Sequence, residues 1–204
     1  MKLYFTPGTC SLAPHIAIRE LGLPVELRRV RLGPAPVVVA DGSDFRAINP
    51  LGYVPLLELD DGRLLTEGVA ILQYLADLEP GGGLAPPAGT FARVDLQRWL
   101  TFTSSELHKL FSPWLFHPEY GEHAAAVARD RIAPRLAVVE RHLQGRDWLL
   151  GERFSVADAY LFTVVDWSKS TKVPLDAFPR LSAYLERVRA RASVGEALRL
   201  EKAA

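Results

Sequence analysis

The feature that most constrains the fold is a stretch at residues 79–91 (EPGGGLAPPAGTF) that is dense in glycine and proline. Such a stretch supports neither a helix nor a strand and divides the chain. The residues before it alternate between short apolar runs that favour strands and longer amphipathic segments that favour helices. The residues after it predict only helices, near 92–112, 124–143, 155–168, 178–191 and 193–200. We therefore predict an α/β domain over residues 1–80, a linker over 81–91 and an all-helical domain over 92–204.

The first part is predicted to follow the order β-α-β-α-β-β-α, which gives a mixed α/β sheet. Strands are expected at residues 2–6, 25–32, 54–59 and 63–66, and helical segments at 11–22, 43–48 and 66–78. Ser11, Ser43 and Thr66 are the expected N-caps of the helical segments. The turn Asp60-Asp61-Gly62 between two apolar runs predicts a hairpin. Residues 33–42 are predicted to form a loop or an irregular edge.

Charge and cysteine content exclude several classes of protein. The chain has 24 basic and 24 acidic residues, so no net charge favours nucleic acid or an anionic membrane. Cys10 is the only cysteine, which rules out an intramolecular disulfide and favours a reducing, cytoplasmic location. No run approaches the roughly 20 apolar residues of a membrane span, and no secretory signal is predicted. The five histidines show no metal-binding spacing, so no metal is expected.

Two features point to chemistry without any comparison. Cys10 immediately precedes a predicted helix start, where unpaired N–H groups and the helix dipole stabilise a thiolate. The alternative is that Cys10 is a small buried core residue, as most free cysteines are. On the predicted helix 92–112, a polar stripe of Thr101, Ser105, His108 and Ser112 follows the spacing i, i+4, i+7 and i+11. Such a stripe faces either bulk water or a wet cleft.

Four local motifs carry a resemblance to a known family. They are Tyr4-Phe-Thr-Pro-Gly-Thr-Cys10-Ser11, Asn49-Pro-Leu-Gly-Tyr-Val54-Pro55, Leu65-Thr-Glu67-Gly68-Val-Ala-Ile and Phe154-Ser155-Val-Ala-Asp158-Ala. In this order they resemble the catalytic turn, the cis-proline segment, the helix start at the γ-glutamyl site and the N-capping box of cytosolic glutathione S-transferases. The closest resemblance is to the bacterial beta class, which has an active-site cysteine. It implies a thioredoxin-like domain followed by a helical domain.

The resemblance also implies the site residues and the co-substrate, glutathione. Cys10 and His108 would be catalytic, with Cys10 contacting the glutathione sulfur and His108 donating to it or taking its proton. The residues that would bind glutathione are Ser11, Val54, Pro55, Glu67, Gly68, Thr101, Ser105, Glu106 and Lys109. The backbone of Val54 would pair with the cysteinyl residue as in strand addition. Gly68 and Glu67 would hold the γ-glutamyl end at a helix N-terminus. The non-functional alternative for Pro55 is an ordinary trans proline at the start of a strand. For Glu67, it is an acidic residue that the helix dipole favours at a helix start, without a bound ligand.

Several positions depart from the beta-class pattern. Residues 33–45 contain no lysine for the glycine carboxylate, Thr101 replaces an asparagine, and Phe5 replaces a tyrosine. Tyr53 and Leu51 likewise replace a glutamine and a lysine. Each lost charged hydrogen bond costs about 1.5–3 kcal/mol, so we expect weaker glutathione binding unless Arg46 compensates.

Three functions fit these residues. The first is conjugation of glutathione to small hydrophobic electrophiles, a detoxification reaction, with Trp114, Phe116 and Trp167 lining the acceptor pocket. The second is thiol transfer through Cys10. The third is a ligand-binding protein that keeps the fold without the chemistry. The resemblance further implies a homodimer, and Ser155 and Asp158 are predicted to be structural.

Overall fold

A computed structural model describes residues 1–79, 81 and 83–203. Residues 80, 82 and 204, which fall in the predicted first domain, linker and helical domain, lie outside the described residues. The chain divides into two compact units, Met1–Gly82 with Arg191–Ala204, and Gly83–Ala190. This division differs from the predicted domain ranges because the last helix belongs with the first unit.

The first unit contains a five-stranded mixed sheet with the strand order β3-β2-β1-β4-β5. Its strands are β1 (Lys2–Phe5), β2 (Glu26–Arg31), β3 (Val37–Val38), β4 (Leu56–Glu58) and β5 (Leu64–Leu65), and its first two helices are α1 (Leu12–Leu21) and α2 (Gly68–Leu78). β1 and β2 are parallel and joined through α1, whereas β4 pairs antiparallel with both β1 and β5. The predicted βαβ start and the Asp-Gly hairpin are therefore confirmed.

β1 is buried on both faces from Leu3 to Phe5, which explains why these three positions are aliphatic or aromatic. Leu3 and Phe5 are fully buried, while Tyr4 points to the opposite face into a cluster with Val30 and Phe45. Successive residues of a strand alternate between faces, so a strand buried on both sides has no polar positions to spare.

Local details of the first unit differ from the sequence predictions. The predicted loop at 33–42 contains the short edge strand β3, paired antiparallel with the end of β2. The 3₁₀ turn Phe45–Ala47 is capped by Asp44, which accepts the Arg46 N–H at 2.9 Å, so the prediction of Ser43 as the cap is wrong. α2 begins at Gly68 with Glu67 in the N-cap position, so Thr66 is not its cap.

The last helix, α9 (Ala192–Ala203), belongs to the first unit because its contacts are with α1. Val194 and Ala197 are buried. The Glu20 carboxylate accepts hydrogen bonds from the Arg191 guanidinium and from the Ser193 hydroxyl. These long-range contacts fold the end of the chain back onto its first helix.

The second unit is helical. Its helices are α3 (Phe91–Phe102), α4 (Lys109–Phe111), α5 (Gly121–His142), α6 (Val156–Asp166), α7 (Ser168–Thr171) and α8 (Pro179–Arg189). A π-helical segment, Thr103–His108, joins α3 to α4, so the chain is helical from 91 to 111, close to the predicted 92–112. α6 is buried on all sides from Val156 to Val165, which makes it the central helix of this unit.

The predicted capping box at the start of α6 is present. The Asp158 carboxylate accepts the Ser155 N–H at 2.8 Å and the Ser155 hydroxyl at 2.7 Å. Asp158 is fully buried, so this box organises the interior of the unit and is not a surface cap.

The second half of the predicted linker is fixed to the second unit. Leu84 is buried, and its carbonyl accepts the Val156 N–H at 3.0 Å. The Thr90 hydroxyl caps α3 by accepting the Arg93 N–H at 3.2 Å. In the described part of the chain, no helix is long and apolar enough to cross a membrane.

Candidate active site

The turn between β1 and α1 is held from within by Ser11. The fully buried Ser11 hydroxyl donates to the Thr6 carbonyl at 3.1 Å and accepts the Thr6 N–H at 3.2 Å. The Thr9 hydroxyl lies 2.8 Å from Ser11 Oγ. Ser11 occupies the predicted N-cap position of α1, but its side chain makes no capping hydrogen bond to the helix. Its burial makes Ser11 a support of the turn.

Cys10 lies at the outer side of this turn, two residues before α1 begins at Leu12. Its side chain is partly exposed, so the alternative of a fully buried core cysteine does not hold. The thiol donates to the Val54 carbonyl, with 3.4 Å between Sγ and the oxygen. The structure thus brings together two of the predicted site residues, which are 44 positions apart in the sequence.

The backbone before β4 is open to a partner. The Val54–Pro55 peptide bond is cis, as the resemblance implies. Within the described residues, the Val54 N–H has no hydrogen-bond partner. An extended peptide can therefore pair with Val54 through its N–H as an added strand. The Asn49 side chain stabilises the loop before Val54. Its amide group donates to the Tyr53 carbonyl at 2.8 Å and accepts the Leu51 N–H at 3.3 Å.

The start of α2 lies against Pro55. A Cβ atom added to Gly68 would lie 3.7 Å from Pro55 Cγ, so the cis-proline segment and the helix start are neighbours. The first N–H groups of an α-helix have no partner within the helix and attract anions. The structure therefore groups Cys10, Val54, Pro55, Glu67 and Gly68 in one region of the first unit.

Glu67 has a backbone conformation that the sequence does not predict. Its φ is 64° and its ψ is 109°, in a region that residues other than glycine rarely adopt. Such strain costs about 1–3 kcal/mol and concentrates at functional sites. The Glu67 carbonyl begins α2 by accepting the Ile71 N–H at 2.9 Å, and the side chain is exposed.

Tyr4 does not replace the hydroxyl that Phe5 lacks. The Tyr4 hydroxyl donates to Glu58 at 2.7 Å, on the opposite face of β1 from Phe5. Burial, together with the hydrogen bond to Glu58, raises the pKa of Tyr4 to about 12. A hydroxyl held in this way stays protonated and is not available to the Cys10 turn.

The segment that departs from the beta-class pattern is stabilised without a lysine. The Arg46 guanidinium donates to the Pro34 carbonyl. Gly52 has a φ of 66°, and a Cβ added there would lie 3.0 Å from Pro36 and 3.4 Å from Arg46. Arg46 therefore holds this loop in place, and its charge remains at the exposed surface. Leu51 and Tyr53 are 62% and 70% exposed.

In the second unit, His108 is held by aromatic residues. Its Nδ1 lies 2.7 Å from the Tyr160 hydroxyl, and its ring packs edge-on against Trp167 at a centroid distance of 5.0 Å. Burial, with a smaller contribution from the neighbouring Lys109 charge, lowers the pKa of His108 to about 4. The imidazole is therefore neutral at pH 7. Tyr160 was not among the predicted site residues, although it directly follows the capping-box motif in the sequence.

The predicted polar stripe does not form one face of a helix. The π-helical segment Thr103–His108 adds a residue to the turn and changes the angular spacing that the stripe assumes. Thr101 and Ser105 are exposed, and the Ser105 hydroxyl donates to the Thr101 carbonyl at 2.9 Å. His108 is instead packed among aromatic rings, and Ser112 lies beyond the helix end at Phe111. The interpretation of these four residues as a single stripe is wrong.

The two charged residues next to His108 differ in their contacts. Glu106 forms an ion pair with Arg135 at 3.1 Å, within the same unit. Lys109 is exposed at the start of α4. Of the two, Lys109 keeps its charge accessible to an anion.

The three aromatic residues predicted to line an acceptor pocket fall into two clusters. Phe116 packs edge-on against Trp167 at 5.4 Å, beside His108. Trp114 packs against Tyr120 at 5.4 Å. Trp114 also lines a separate cavity of about 320 Å³ whose other walls are Leu110, His123, Ala124, Val127, Ala128 and Arg131. Phe116 and Trp167 thus remain together as an aromatic cluster beside His108, in which Trp167 is buried and Phe116 is exposed. Among the described residues, no group of three or more His, Cys, Asp or Glu side chains could hold a metal ion.

Comparison with known proteins matches both parts of the chain to family models. Residues 8–78 match the glutathione S-transferase N-terminal domain, and residues 102–192 match the glutathione S-transferase C-terminal domain. The chain is 42% identical to glutathione S-transferase GstA of Escherichia coli O157:H7, over 98% of each protein.

Solved structures agree along the whole chain. A ternary complex of BphK, a bacterial GST, is 50% identical with a TM-score of 0.96, covering 99% of this chain and all of that one. A sphingomonad glutathione S-transferase complexed with glutathione is 44% identical with a TM-score of 0.94 over all of both chains. A beta-class glutathione S-transferase of Sphingomonas chungbukensis is 43% identical with a TM-score of 0.94, over 98% of each chain.

Proposed function

The chain belongs to the glutathione S-transferase family and is a glutathione transferase, and on this premise we propose that Cys10 and His108 carry its chemistry. The observation that carries the proposal for Cys10 is its thiol contact with the Val54 carbonyl at 3.4 Å. If the glutathione backbone pairs with Val54, this contact places the Cys10 thiol next to the glutathione sulfur.

Glutathione is expected to bind along the first unit in an extended form. Its cysteinyl backbone pairs with Val54, next to Pro55, and displaces the Cys10 thiol from the Val54 carbonyl. Its γ-glutamyl carboxylate accepts hydrogen bonds from the N–H groups at the start of α2, at Gly68. Glu67 accepts a hydrogen bond from the α-amino group. The exposed Glu67 side chain and its strained backbone support this role, because strain of this kind persists where function requires it.

For the second unit, the resemblance to the beta class supports a role for His108 and for the surface around it. In the reaction, the glutathione thiol loses its proton and the sulfur forms a bond to an electrophilic carbon. That carbon either releases a leaving group with its bonding electron pair or gives up the electron pair of a π bond to the neighbouring atom, which then takes a proton from water. His108 stabilises the sulfur by a hydrogen bond. Lys109 supplies a positive charge, while Thr101, Ser105 and Glu106 contribute polar surface. The exposed ring of Phe116, supported by the buried Trp167, favours small hydrophobic electrophiles.

A calorimetric titration of the reduced protein with glutathione tests the binding role of the first unit. We expect saturable binding that weakens about tenfold in Glu67→Gln, because the glutamine amide oxygen can still accept a hydrogen bond from the amino group but no longer carries the negative charge that strengthens it. The matched control is Glu122→Gln, which removes another exposed helix-start acid in the second unit. Equal affinity of wild type and Glu67→Gln would contradict the assignment of Glu67.

Thiol transfer is a second candidate, favoured by the partial exposure of the thiol of Cys10. The Cys10 thiolate would attack the glutathione sulfur of a mixed disulfide between glutathione and a second thiol, releasing that second thiol. A glutathione thiolate would then attack the Cys10 disulfide, releasing Cys10 and forming glutathione disulfide. Assaying Cys10→Ala for both reactions separates the candidates. Loss of disulfide exchange with retained conjugation favours thiol transfer, and loss of conjugation as well favours a role of Cys10 in both.

We further propose that the protein is a cytoplasmic homodimer of the beta class. The resemblance of residues 4–11 to the cysteine-containing turn supports the class, and the single cysteine supports a reducing compartment. Light scattering tests the assembly. A dimer has twice the 22.6 kDa mass of the chain, and a particle of one chain mass would contradict it.

A further inference from the structure

The strongest unassigned contact in the second unit joins His108 to Tyr160. Tyr160 lies on α6, the buried central helix, and is itself buried. Its hydroxyl oxygen is 2.7 Å from His108 Nδ1, and the two rings meet edge-on at a centroid distance of 5.9 Å. We propose that Tyr160 is a positioning residue that fixes His108 as the neutral tautomer with its hydrogen on Nε2, so that His108 is a hydrogen-bond donor and not a base. The consequence for catalysis rests on the proposed function of His108.

The direction of the hydrogen bond follows from the acidity of the two groups. A phenol with an ordinary pKa near 10 is a far stronger acid than a neutral imidazole N–H. An imidazole nitrogen is also a better acceptor than a phenol oxygen. The favoured arrangement therefore has the Tyr160 O–H donating to Nδ1, which leaves the imidazole hydrogen on Nε2.

The surroundings of His108 keep the ring neutral. Trp167 and Tyr160 cover the ring with aromatic surface, and Lys109 places a positive charge beside it. The nearest acid along the chain, Glu106, is held by Arg135 at 3.1 Å. Burial and the Lys109 charge both oppose protonation, which agrees with the lowered pKa of His108.

This arrangement limits what His108 does to a bound thiol. Nδ1 is occupied by Tyr160, so a ligand can engage His108 only through Nε2. Because Nε2 carries a hydrogen, it donates to a thiolate but does not accept the proton of a thiol. The proton of glutathione therefore leaves to water, and His108 keeps its own hydrogen throughout the reaction.

Nitrogen NMR of the full chain with ¹⁵N-labelled histidine tests this directly. The five histidines are distinguished by using His108→Gln to assign one ring. For the wild type we expect a protonated Nε2 and an unprotonated Nδ1 at His108 from pH 8 down to pH 5. An Nδ1 that carries the hydrogen, or a ring that becomes charged above pH 6, would overturn the proposal.

The variant Tyr160→Phe removes the hydroxyl and keeps the ring. We expect the single tautomer of His108 to be lost and kcat to fall about three- to tenfold, as for one lost hydrogen bond, while KM for glutathione changes less than twofold. Tyr120→Phe is the matched control, because Tyr120 meets the His117 ring at the same 5.9 Å but that histidine bonds Glu119. Unchanged His108 nitrogen shifts in Tyr160→Phe would refute the role of Tyr160.

The two proposals fail in different ways. If His108→Gln leaves turnover unchanged while the wild-type ring has the expected tautomer, His108 has no role in the reaction and the proposed function is wrong there. If His108→Gln slows turnover but Nδ1 carries the hydrogen, the reaction role stands and the inference about Tyr160 is wrong.

Discussion

Replacing Asp158 by alanine is expected to destabilise the second unit by about 3 kcal/mol. The fully buried carboxylate accepts four hydrogen bonds, from the Leu149 N–H at 2.8 Å, the Ser155 N–H at 2.8 Å, the Ser155 hydroxyl at 2.7 Å and the Tyr184 hydroxyl at 2.9 Å. The two hydroxyls can rotate to other acceptors, but the two backbone amides are left buried and unpaired. Each costs about 1–3 kcal/mol, or roughly 4 kcal/mol together. Burial of the carboxylate raises the pKa of Asp158, so removing this charge offsets part of the loss.

Urea unfolding, followed by tryptophan fluorescence, measures this change. With a slope of about 2 kcal/mol per molar, the unfolding midpoint should fall by about 1.5 M. The matched control is Asp147→Ala, which removes an exposed carboxylate 3.4 Å from Arg187 and should cost less than about 1 kcal/mol. Glutathione turnover of the folded Asp158→Ala protein should stay near that of the wild type. A midpoint shift no larger than that of the control would refute the argument that Asp158 satisfies the interior amides.

Three further predictions concern the two units. Glu67→Gly should raise stability by about 1 kcal/mol by relieving the positive φ while weakening glutathione binding, measured by thermal unfolding and calorimetry. Equal stability of the two proteins would show that the Glu67 backbone is not strained. Glu201→Ala should destabilise the first unit by about 2 kcal/mol and change the alkylation rate of Cys10, because the buried Glu201 carboxylate accepts the Gly8 N–H at 3.0 Å in the Cys10 turn. An unchanged alkylation rate would contradict that coupling. The free energy of unfolding should fall by up to about 3 kcal/mol between pH 6.5 and 4 because of His108. The ring binds a proton at its ordinary pKa of 6.5 in the unfolded chain, but only at a pKa of about 4 in the folded protein. The difference between the urea unfolding midpoints at pH 7 and pH 4.5 should therefore be smaller in His108→Gln than in the wild type. An equal difference in the two proteins would contradict the lowered pKa of His108.

The parts of the fold that depend on local sequence were predictable. The hairpin at Asp61-Gly62 and the capping box at Ser155 and Asp158 follow from turn and cap chemistry within a few residues. The two-residue strand β3 (Val37–Val38) was missed because only pairing with β2 defines it. The assignment of α9 to the first unit was also missed, since its contacts are with Glu20, over 170 positions away.

The local geometry around the candidate residues of the first unit followed the sequence more closely than that around the candidate residues of the second. Cys10, Pro55 and Gly68 lie in motifs whose local geometry determines their position. The helix spacing around Thr101 and His108 failed because tertiary packing introduced a π-helical segment that no local pattern indicated. The positive φ of Glu67 was not foreseen either, because glutamate gives no signal of a conformation that glycine usually adopts.

The central claim is that the Cys10 thiol lies where the glutathione sulfur binds. It is tested most directly by the rate at which iodoacetamide alkylates Cys10 in the full-length protein, followed by intact mass, as the concentration of S-methylglutathione rises. This analogue carries no free thiol, so it does not consume the reagent. The account predicts saturable protection of Cys10 that is weakened in Glu67→Gln and retained in Glu122→Gln. An alkylation rate that is unaffected by saturating S-methylglutathione would contradict it.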